Sequence, residues 1–110
     1  MDASVIIPTF NRKDVLRKCL QALDQQKCGS TYEIVLIDDG STDGTQETVE
    51  ELQESLSFSL TFFRQGKKGP AAARNVGIKH CSGKIVIIMG DDIIATPHLV
   101  NEHIDWHNNK

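Results

Sequence analysis

The chain has 110 residues, of which 25% are charged and 39% hydrophobic, and its formal net charge is −3 at pH 7. This length suits a single domain with a modest hydrophobic core, and the slight acidity argues against nucleic acid as a partner. No apolar run reaches the roughly 18 residues that span a bilayer, and the start Met1-Asp2-Ala3 lacks the basic and apolar regions of a secretory leader. We therefore expect a cytoplasmic protein, with the inner membrane face as the alternative location of the full-length protein.

Apolar runs with strand character alternate with segments of helical periodicity, which is typical of βαβ units around a parallel sheet. The first half predicts a strand at Ser4–Pro8, a helix from Lys13 to about Gln25, a strand at Glu33–Ile37, and a helix through Leu52 that Asp43 caps, with Gln46 completing a capping box. The second half predicts a strand at Phe58–Phe63, a helix from Gly69-Pro70 to His80, a strand at Ile85–Met89, and a last helix from His98 to about His107 after Thr96-Pro97.

Cysteine usage gives no sign of a disulfide framework or a zinc finger. Cys19, Cys28 and Cys81 are odd in number and show no C-x-x-C spacing. Cys19 falls between Leu16 and Leu20 on one face of the first predicted helix. We therefore predict that Cys19 belongs to the core.

Two pairs of aspartates directly follow predicted strands. Asp38-Asp39 ends one apolar run, and Asp91-Asp92 ends another, Ile85–Gly90. Ligands of open α/β sheets bind at the carboxyl ends of the strands, so both pairs are expected at one binding edge. Carboxylates there suit Mg²⁺ or Mn²⁺ holding a phosphate. One pair alone is explained equally well by capping of the following loop or helix, but two pairs together favour a site.

Four segments resemble, in order and spacing, the signatures of family 2 glycosyltransferases. They are Ile7–Arg12 (IPTFNR), Ile37–Asp43 (IDDGSTD), Gly69–Gly77 (GPAAARNVG) and Gly90–Ile93 (GDDI). The resemblance implies the Rossmann-like GT-A fold of nucleotide-diphospho-sugar transferases. We accordingly predict a three-layer open parallel sheet of order 3-2-1-4 with helices on both faces.

The same resemblance implies an activity. A sugar would pass from a nucleotide-diphospho-sugar, with UDP favoured, to a hydroxyl of a glycan, lipid or protein acceptor, with inversion and with Mn²⁺ or Mg²⁺ as cofactor. Residues 1–110 would form the donor-binding part, with the acceptor-binding half and the catalytic base outside this chain. The fourth strand would then leave an open sheet edge through which the chain could self-associate.

Nucleoside-binding residues follow from the resemblance. Pro8, Thr9 and Phe10 would line the nucleoside pocket, with Phe10 against the base, and Asn11 would belong to the same donor site. Asp39 would accept a hydrogen bond from the base. Asp38 is assigned to the same nucleotide-sugar site, with the alternative that it holds the loop instead. For Phe10, the alternative is that it packs under the following helix.

Metal and ribose contacts are expected at the last motif. Asp92 would bind the metal directly, and Asp91 would contact the ribose or a metal-bound water and so share in the metal site. Many relatives have three acidic residues in a row, whereas Gly90 replaces the first of them here.

The role of Arg74 is left open by the sequence. We assign it to the nucleotide-sugar site, where it would reach the base or a phosphate or anchor the Asp38-Asp39 loop by an ion pair. The remaining alternative is that it stays solvated. Asn75 and Gly77 are predicted to serve close packing of the same helix.

Other functions fit the sequence less well. The chain has neither the G-x-G-x-x-G of nicotinamide-binding domains nor a G-x-x-x-x-G-K-[ST] phosphate loop. His103 and His107 lie one helical turn apart, but a polar helix face explains them better than a transition-metal site. The main alternatives are a non-catalytic module that binds a nucleotide-sugar and transfers nothing, and a fragment of a larger enzyme that is inactive by itself.

Overall fold

The computed structural model describes residues 2–24, 31–93 and 99–108. Its elements, in chain order, are β1 (Ala3–Thr9), α1 (Lys13–Leu23), β2 (Tyr32–Asp38), α2 (Thr45–Gln53), β3 (Ser59–Arg64), α3 (Pro70–His80), β4 (Ile85–Ile88) and α4 (Leu99–Asn108). The predicted helix end at Gln25 and the start at Thr96–His98 lie outside the described residues. None of the described helices is long and apolar enough to cross a bilayer.

All four strands are parallel, and their order in the sheet is β3-β2-β1-β4. The predicted fold class and strand order are therefore confirmed. Strand β1 pairs with β2 on one side and with β4 on the other. The direction of strand addition reverses at β1, and the crevice at the carboxyl ends of β1 and β4 is where open α/β sheets bind ligands.

Each face of the sheet carries its own core, because successive side chains of a strand point to opposite faces. One core joins α1, α2 and α4 to the sheet, and its strand residues include Val5, Ile7, Ile34, Leu36 and Ile87. The other core joins α3 to Ile6, Val35 and Ile37. Cys19 is fully buried in the first core, as predicted. The prediction of helices on both faces is also confirmed.

Helix α3 approaches the sheet closely at Gly77. A Cβ atom at this position would lie 2.4 Å from Cγ2 of Ile6 and 3.0 Å from Cδ1 of Ile37. A side chain therefore does not fit without movement of the sheet residues. The packing role predicted for Gly77 is confirmed, whereas Asn75 is exposed and does not share it.

The start of α2 differs from the prediction. Gly44, in the left-handed conformation with φ 93°, takes the N-cap position, and no side chain caps the helix. Asp43 instead accepts hydrogen bonds from the backbone N–H of Thr45 at 3.2 Å and of Lys13 at 3.1 Å. The predicted capping box is wrong because Gly44 shifts the helix start by one residue. Asp43 therefore ties the first turns of α1 and α2 together.

The outer side of β4 forms an open apolar groove of about 840 Å³. Val86 and Ile88 of this strand are 40% and 49% exposed. The groove is lined by Val86, Ile87, Ile88, Met89, Gly90, Ile93, Leu99, Glu102 and Trp106. Self-association through this edge stays a prediction.

Candidate donor site

A smaller cleft of about 210 Å³ opens at the carboxyl edge of the sheet, between the β1–α1 loop and the start of α3. Its lining residues are Pro8, Thr9, Phe10, Arg12, Asp39, Pro70, Ala73 and Asp91. Ligand pockets usually combine apolar walls with a few convergent polar groups, and this cleft does so although it is smaller than the groove along β4. Five predicted donor-site residues therefore share one cleft: Pro8, Thr9, Phe10, Asp39 and Asp91.

Asp91 is buried at the floor of the cleft and is fixed by two side chains. The Thr9 hydroxyl donates a hydrogen bond to its Oδ2 at 2.9 Å, and Nη1 of Arg12 donates to its Oδ1 at 3.1 Å. The next residue, Asp92, is exposed. The two carboxylates of this motif therefore have different surroundings: Asp91 is held by the protein, and Asp92 faces the solvent.

Arg12 is a site residue that sequence reasoning missed. It follows Pro8–Asn11 directly, and its side chain lines the cleft while remaining 48% exposed. An arginine next to a helix start is ordinarily a solvated surface residue. Its position after the IPTFN segment was the available signal, but that signal gave no indication of its contact with Asp91.

Asp39 lines the cleft and also organises the loop between β3 and α3. Its Oδ1 accepts hydrogen bonds from the backbone N–H of Lys68 at 2.8 Å and from Nε2 of Gln65 at 2.9 Å. Its Oδ2 accepts one from the backbone N–H of Gly69 at 3.0 Å. The Lys68 hydrogen bond, followed by that of Gln65, lowers the pKa of Asp39. Asp39 is thus a carboxylate at neutral pH.

Asp38 is fully buried and does not line the cleft. Its Oδ1 accepts hydrogen bonds from the backbone N–H and the hydroxyl of Ser41, and its Oδ2 accepts one from Nη1 of Arg64 at 3.0 Å. Nη2 of Arg64 also donates to the carbonyl oxygen of Ser41 at 2.8 Å. These contacts make Asp38 an anchor of the β2–α2 loop, and its contact with the nucleotide-sugar stays a prediction.

Arg74 lies on α3 and is exposed. Within the described residues, the arginine paired with Asp38 is Arg64, so the structure does not support the alternative in which Arg74 anchors this loop. The reason is the register of the sheet, which places Arg64 directly opposite Asp38 on the neighbouring strand. Contact of Arg74 with a nucleotide stays a prediction.

Asn11 connects two loops of the site. Its backbone N–H donates to the hydroxyl of Ser41 at 2.8 Å, and its Oδ1 accepts a hydrogen bond from the backbone N–H of Thr42 at 2.7 Å. Its φ of 50° is in the left-handed region, which asparagine tolerates better than most residues. Asn11 therefore sets the course of the chain between Phe10 and α1.

Phe10 is half-buried, and Nζ of Lys67 lies 3.4 Å from its ring centroid. This distance is that of a cation–π contact. Among the described residues, neither core cluster includes Phe10. The ring therefore lines the cleft, and Lys67, which belongs to the loop that Asp39 organises, packs over it.

The described residues contain no cluster of three or more side chains suited to a metal. Mg²⁺ and chemically similar ions are often bound by one or two carboxylates together with substrate phosphates. The exposed Asp92 beside Asp91 fits such a shared site, in which the ligand supplies the remaining oxygens. The side chains of His103 and His107, for which a polar helix face is the favoured explanation, lie outside the described part of the structure.

Cys19 lies under the acidic motif. Burial, with a further contribution from the charges of Asp91 and Asp92, raises the pKa of its thiol to about 12. Within the described residues, Cys19 and Cys81 are both free cysteines. Cys19 is therefore a protonated core residue and not a nucleophile.

Comparison with known proteins agrees with this arrangement. The sequence profile of Glycosyl transferase family 2 matches residues 4–110. The chain belongs to this family. It is 36% identical over 110 residues to the uncharacterized glycosyltransferase YfnE of Bacillus subtilis (strain 168), an alignment that covers 100% of this chain and 28% of YfnE.

Two solved family structures are similar to it. Residues 1–349 of S. aureus TarS, in complex with UDP, superimpose with a TM-score of 0.89 at 27% identity, over 99% of this chain and 32% of that one. The mannosyltransferase PcManGT from Pyrobaculum calidifontis, in complex with GDP-Man and Mn²⁺, gives a TM-score of 0.87 at 28% identity, over 94% and 31%. The chain therefore spans less than a third of the length of YfnE and of each of these two crystallised chains.

Proposed function

We propose that this chain is the donor-binding part of a glycosyltransferase that transfers a sugar, with inversion, from a UDP-sugar to an acceptor hydroxyl. The observation that carries the proposal is the convergence of Phe10, Asp39 and the Asp91-Asp92 motif on one edge of the sheet. Three different loops deliver these residues, and the edge lies at the point where strand addition reverses.

The nucleoside end of the donor would occupy the cleft. Phe10 offers an aromatic face to the base, and Pro8 and Ala73 offer apolar surface beside it. Oδ2 of Asp39 accepts only one hydrogen bond within the described residues, so it has capacity left for a ring N–H. Uracil presents such an N–H. The similarity to the UDP complex of TarS supports uridine, while the GDP-Man complex of PcManGT makes guanosine the competing nucleoside.

The ribose and the diphosphate would lie toward the last motif. Asp91 would accept a hydrogen bond from a ribose hydroxyl. Asp92 would bind Mn²⁺ or Mg²⁺ together with the phosphate oxygens. When bound, the cation would neutralise the charge that develops on the departing nucleoside diphosphate. The Mn²⁺ in the PcManGT complex supports this use of a cation.

The acceptor would attack the anomeric carbon of the bound donor. Its hydroxyl must lose a proton to a general base as it attacks the anomeric carbon. Within the described residues, we find no carboxylate or histidine in the cleft that is free for this task. We therefore propose that the base and the binding surface for a glycan, lipid or protein acceptor belong to the rest of the enzyme.

Isothermal titration calorimetry tests the donor site. UDP and GDP are titrated separately into the protein, each in the presence of Mn²⁺ and again with EDTA. We expect UDP to bind with Mn²⁺ and to bind much more weakly with EDTA. Preference for GDP would correct the nucleoside, and the absence of binding by a demonstrably folded protein would contradict the donor site.

A further inference from the structure

Arg12 combines a position in the cleft with unused hydrogen-bonding capacity. In the described structure, its guanidinium makes one contact, from Nη1 to Oδ1 of Asp91. A guanidinium carries five N–H donors in a planar fork. The side chain is 48% exposed, and its other four N–H donors have no acceptor among the described residues.

The charges around the cleft show what Arg12 could bind. Two carboxylates, Asp39 and Asp91, line the cleft, and Asp92 is next to them. Of the described residues that line it, Arg12 is the single cation. A nucleoside diphosphate would add further negative charge to this edge, and a positive group is needed beside its phosphates. Arginine suits phosphate better than lysine does because its N–H groups match two phosphate oxygens at once.

We propose that Arg12 is a diphosphate-binding residue and that Asp91 positions its guanidinium before the nucleotide arrives. This inference rests on the proposed function. A ribose hydroxyl that donates to Oδ1 of Asp91 would take the place of Nη1, while Thr9 continues to hold Oδ2. Arg12 is half exposed, whereas Asp91 is buried, so the carboxylate must keep a donor when the pair separates. The ribose hydroxyl supplies that donor. The released guanidinium then turns to the phosphates.

The contact of Arg12 with the phosphates should affect the affinity for UDP but not that for uridine. Arg12 contributes positive charge whether or not a cation is present. The protein would therefore prefer UDP over uridine even in EDTA, and the cation would add to that preference. The ratio of the UDP and uridine affinities measures the contribution of Arg12 separately from that of the base.

The test uses this ratio in four proteins: the wild type, Arg12→Gln, Arg12→Lys and the control Arg17→Gln. Arg17 lies one turn along α1, is 41% exposed and pairs with Glu51 at 3.9 Å, away from the cleft. Uridine and UDP, and in parallel guanosine and GDP, are titrated with Mn²⁺ and with EDTA. Thermal unfolding of each variant confirms that it is folded.

We expect Arg12→Gln to weaken UDP binding about tenfold or more in both conditions, because it removes charge-assisted hydrogen bonds to phosphate. The affinity for uridine should be unchanged, Arg12→Lys should restore part of the loss, and Arg17→Gln should match the wild type. Equal weakening of uridine and UDP would overturn the proposal and assign Arg12 a structural role through Asp91. Unchanged UDP binding would also overturn it.

The failure of this proposal is distinguishable from that of the proposed function. If the wild type binds UDP or GDP and Arg12→Gln binds it equally well, only the role of Arg12 fails. If the folded wild type binds neither diphosphate in either condition, the donor site itself fails and the role of Arg12 fails with it.

Discussion

The two aspartate pairs, Asp38-Asp39 and Asp91-Asp92, follow parallel strands at the same edge of the sheet, yet their surroundings differ. The carboxylates of Asp38 and Asp39 accept hydrogen bonds from backbone N–H groups, from side-chain donors and, at Asp38, from Arg64. Asp91 is held by two side chains, and Asp92 is exposed. The first pair mainly organises the loops and leaves one oxygen of Asp39 for a base N–H, whereas the second pair leaves the exposed carboxylate of Asp92 for a ligand.

Substitutions in the two aspartate pairs should differ most in their effect on the free energy of unfolding. Asp38→Ala leaves Arg64 and the Ser41 N–H without their acceptor, so we expect the free energy of unfolding to fall by about 2–4 kcal/mol. Asp92→Ala removes an exposed side chain and should change it by less than about 0.5 kcal/mol. Urea denaturation followed by circular dichroism measures both values. Equal destabilisation by the two substitutions would refute the distinction.

For the affinity for UDP in Mn²⁺, Asp92 should matter more than Asp38, which is the reverse of their ranking by stability. Asp92→Ala should reduce the affinity for UDP in Mn²⁺ to the value measured in EDTA, because the cation loses its carboxylate. The control Asp14→Ala, at an exposed position of α1, should keep the full effect of Mn²⁺. Calorimetry provides both values. A response to Mn²⁺ that persists in Asp92→Ala would remove this residue from the proposed cation site.

Asp39 should show a smaller effect that depends on pH. Its folded-state pKa lies below the ordinary value of 3.8, so its stabilising contribution is present above that value and is lost as the pH falls through the folded-state pKa. At pH 7, Asp39→Asn should lower the free energy of unfolding by about 1–3 kcal/mol.

The measurement for Asp39 is urea denaturation of the wild type and of Asp39→Asn at pH 7 and at several values below 4. The difference between the two proteins should shrink toward the acid end. A constant difference over this range would show that the charge of Asp39 contributes nothing. The comparison with the variant removes the effects of other acidic residues.

The negative charges of Asp91 and Asp92 should have only a small effect on the reactivity of the Cys19 thiol. Because burial is the main cause of the raised pKa, Asp92→Asn should increase the reactivity of Cys19 only slightly. Labelling with Ellman's reagent at pH 8, in a Cys28→Ser background, should modify Cys81 and spare Cys19 until urea unfolds the chain. Rapid labelling of Cys19 in the folded protein would contradict its core position.

The sequence was sufficient for the fold because its signals were local or periodic. Alternation of strands with amphipathic helices located the elements to within a few residues, and Pro70 marked the start of α3 as predicted. Phe58 was expected in β3, but the strand begins at Ser59 and Phe58 packs near Tyr32, with ring centroids 6.1 Å apart. Such end positions depend on tertiary contacts that a pattern does not contain.

The sequence was less informative about partners within the site. It placed Asp39 and Asp91 at one edge because both follow parallel strands. It could not assign the partner of Asp38, since Arg64 and Arg74 are both near the motifs and only the strand register selects Arg64. Arg12 and Asp91 are 79 positions apart in the sequence, so no local pattern predicts their contact.

The proposed function requires the nucleotide to bind at the carboxyl edge of the sheet, beside both aspartate pairs. Titration of UDP and Mg²⁺ into ¹⁵N-labelled protein, followed by amide NMR spectra, shows where the nucleotide binds. We predict the largest shifts in residues 8–12, 39–41, 67–74 and 90–93, with broadening confined to residues near Asp92 when Mn²⁺ replaces Mg²⁺. Shifts confined to the β4 groove, or to the opposite edge around Glu33 and Ser82, would contradict the account.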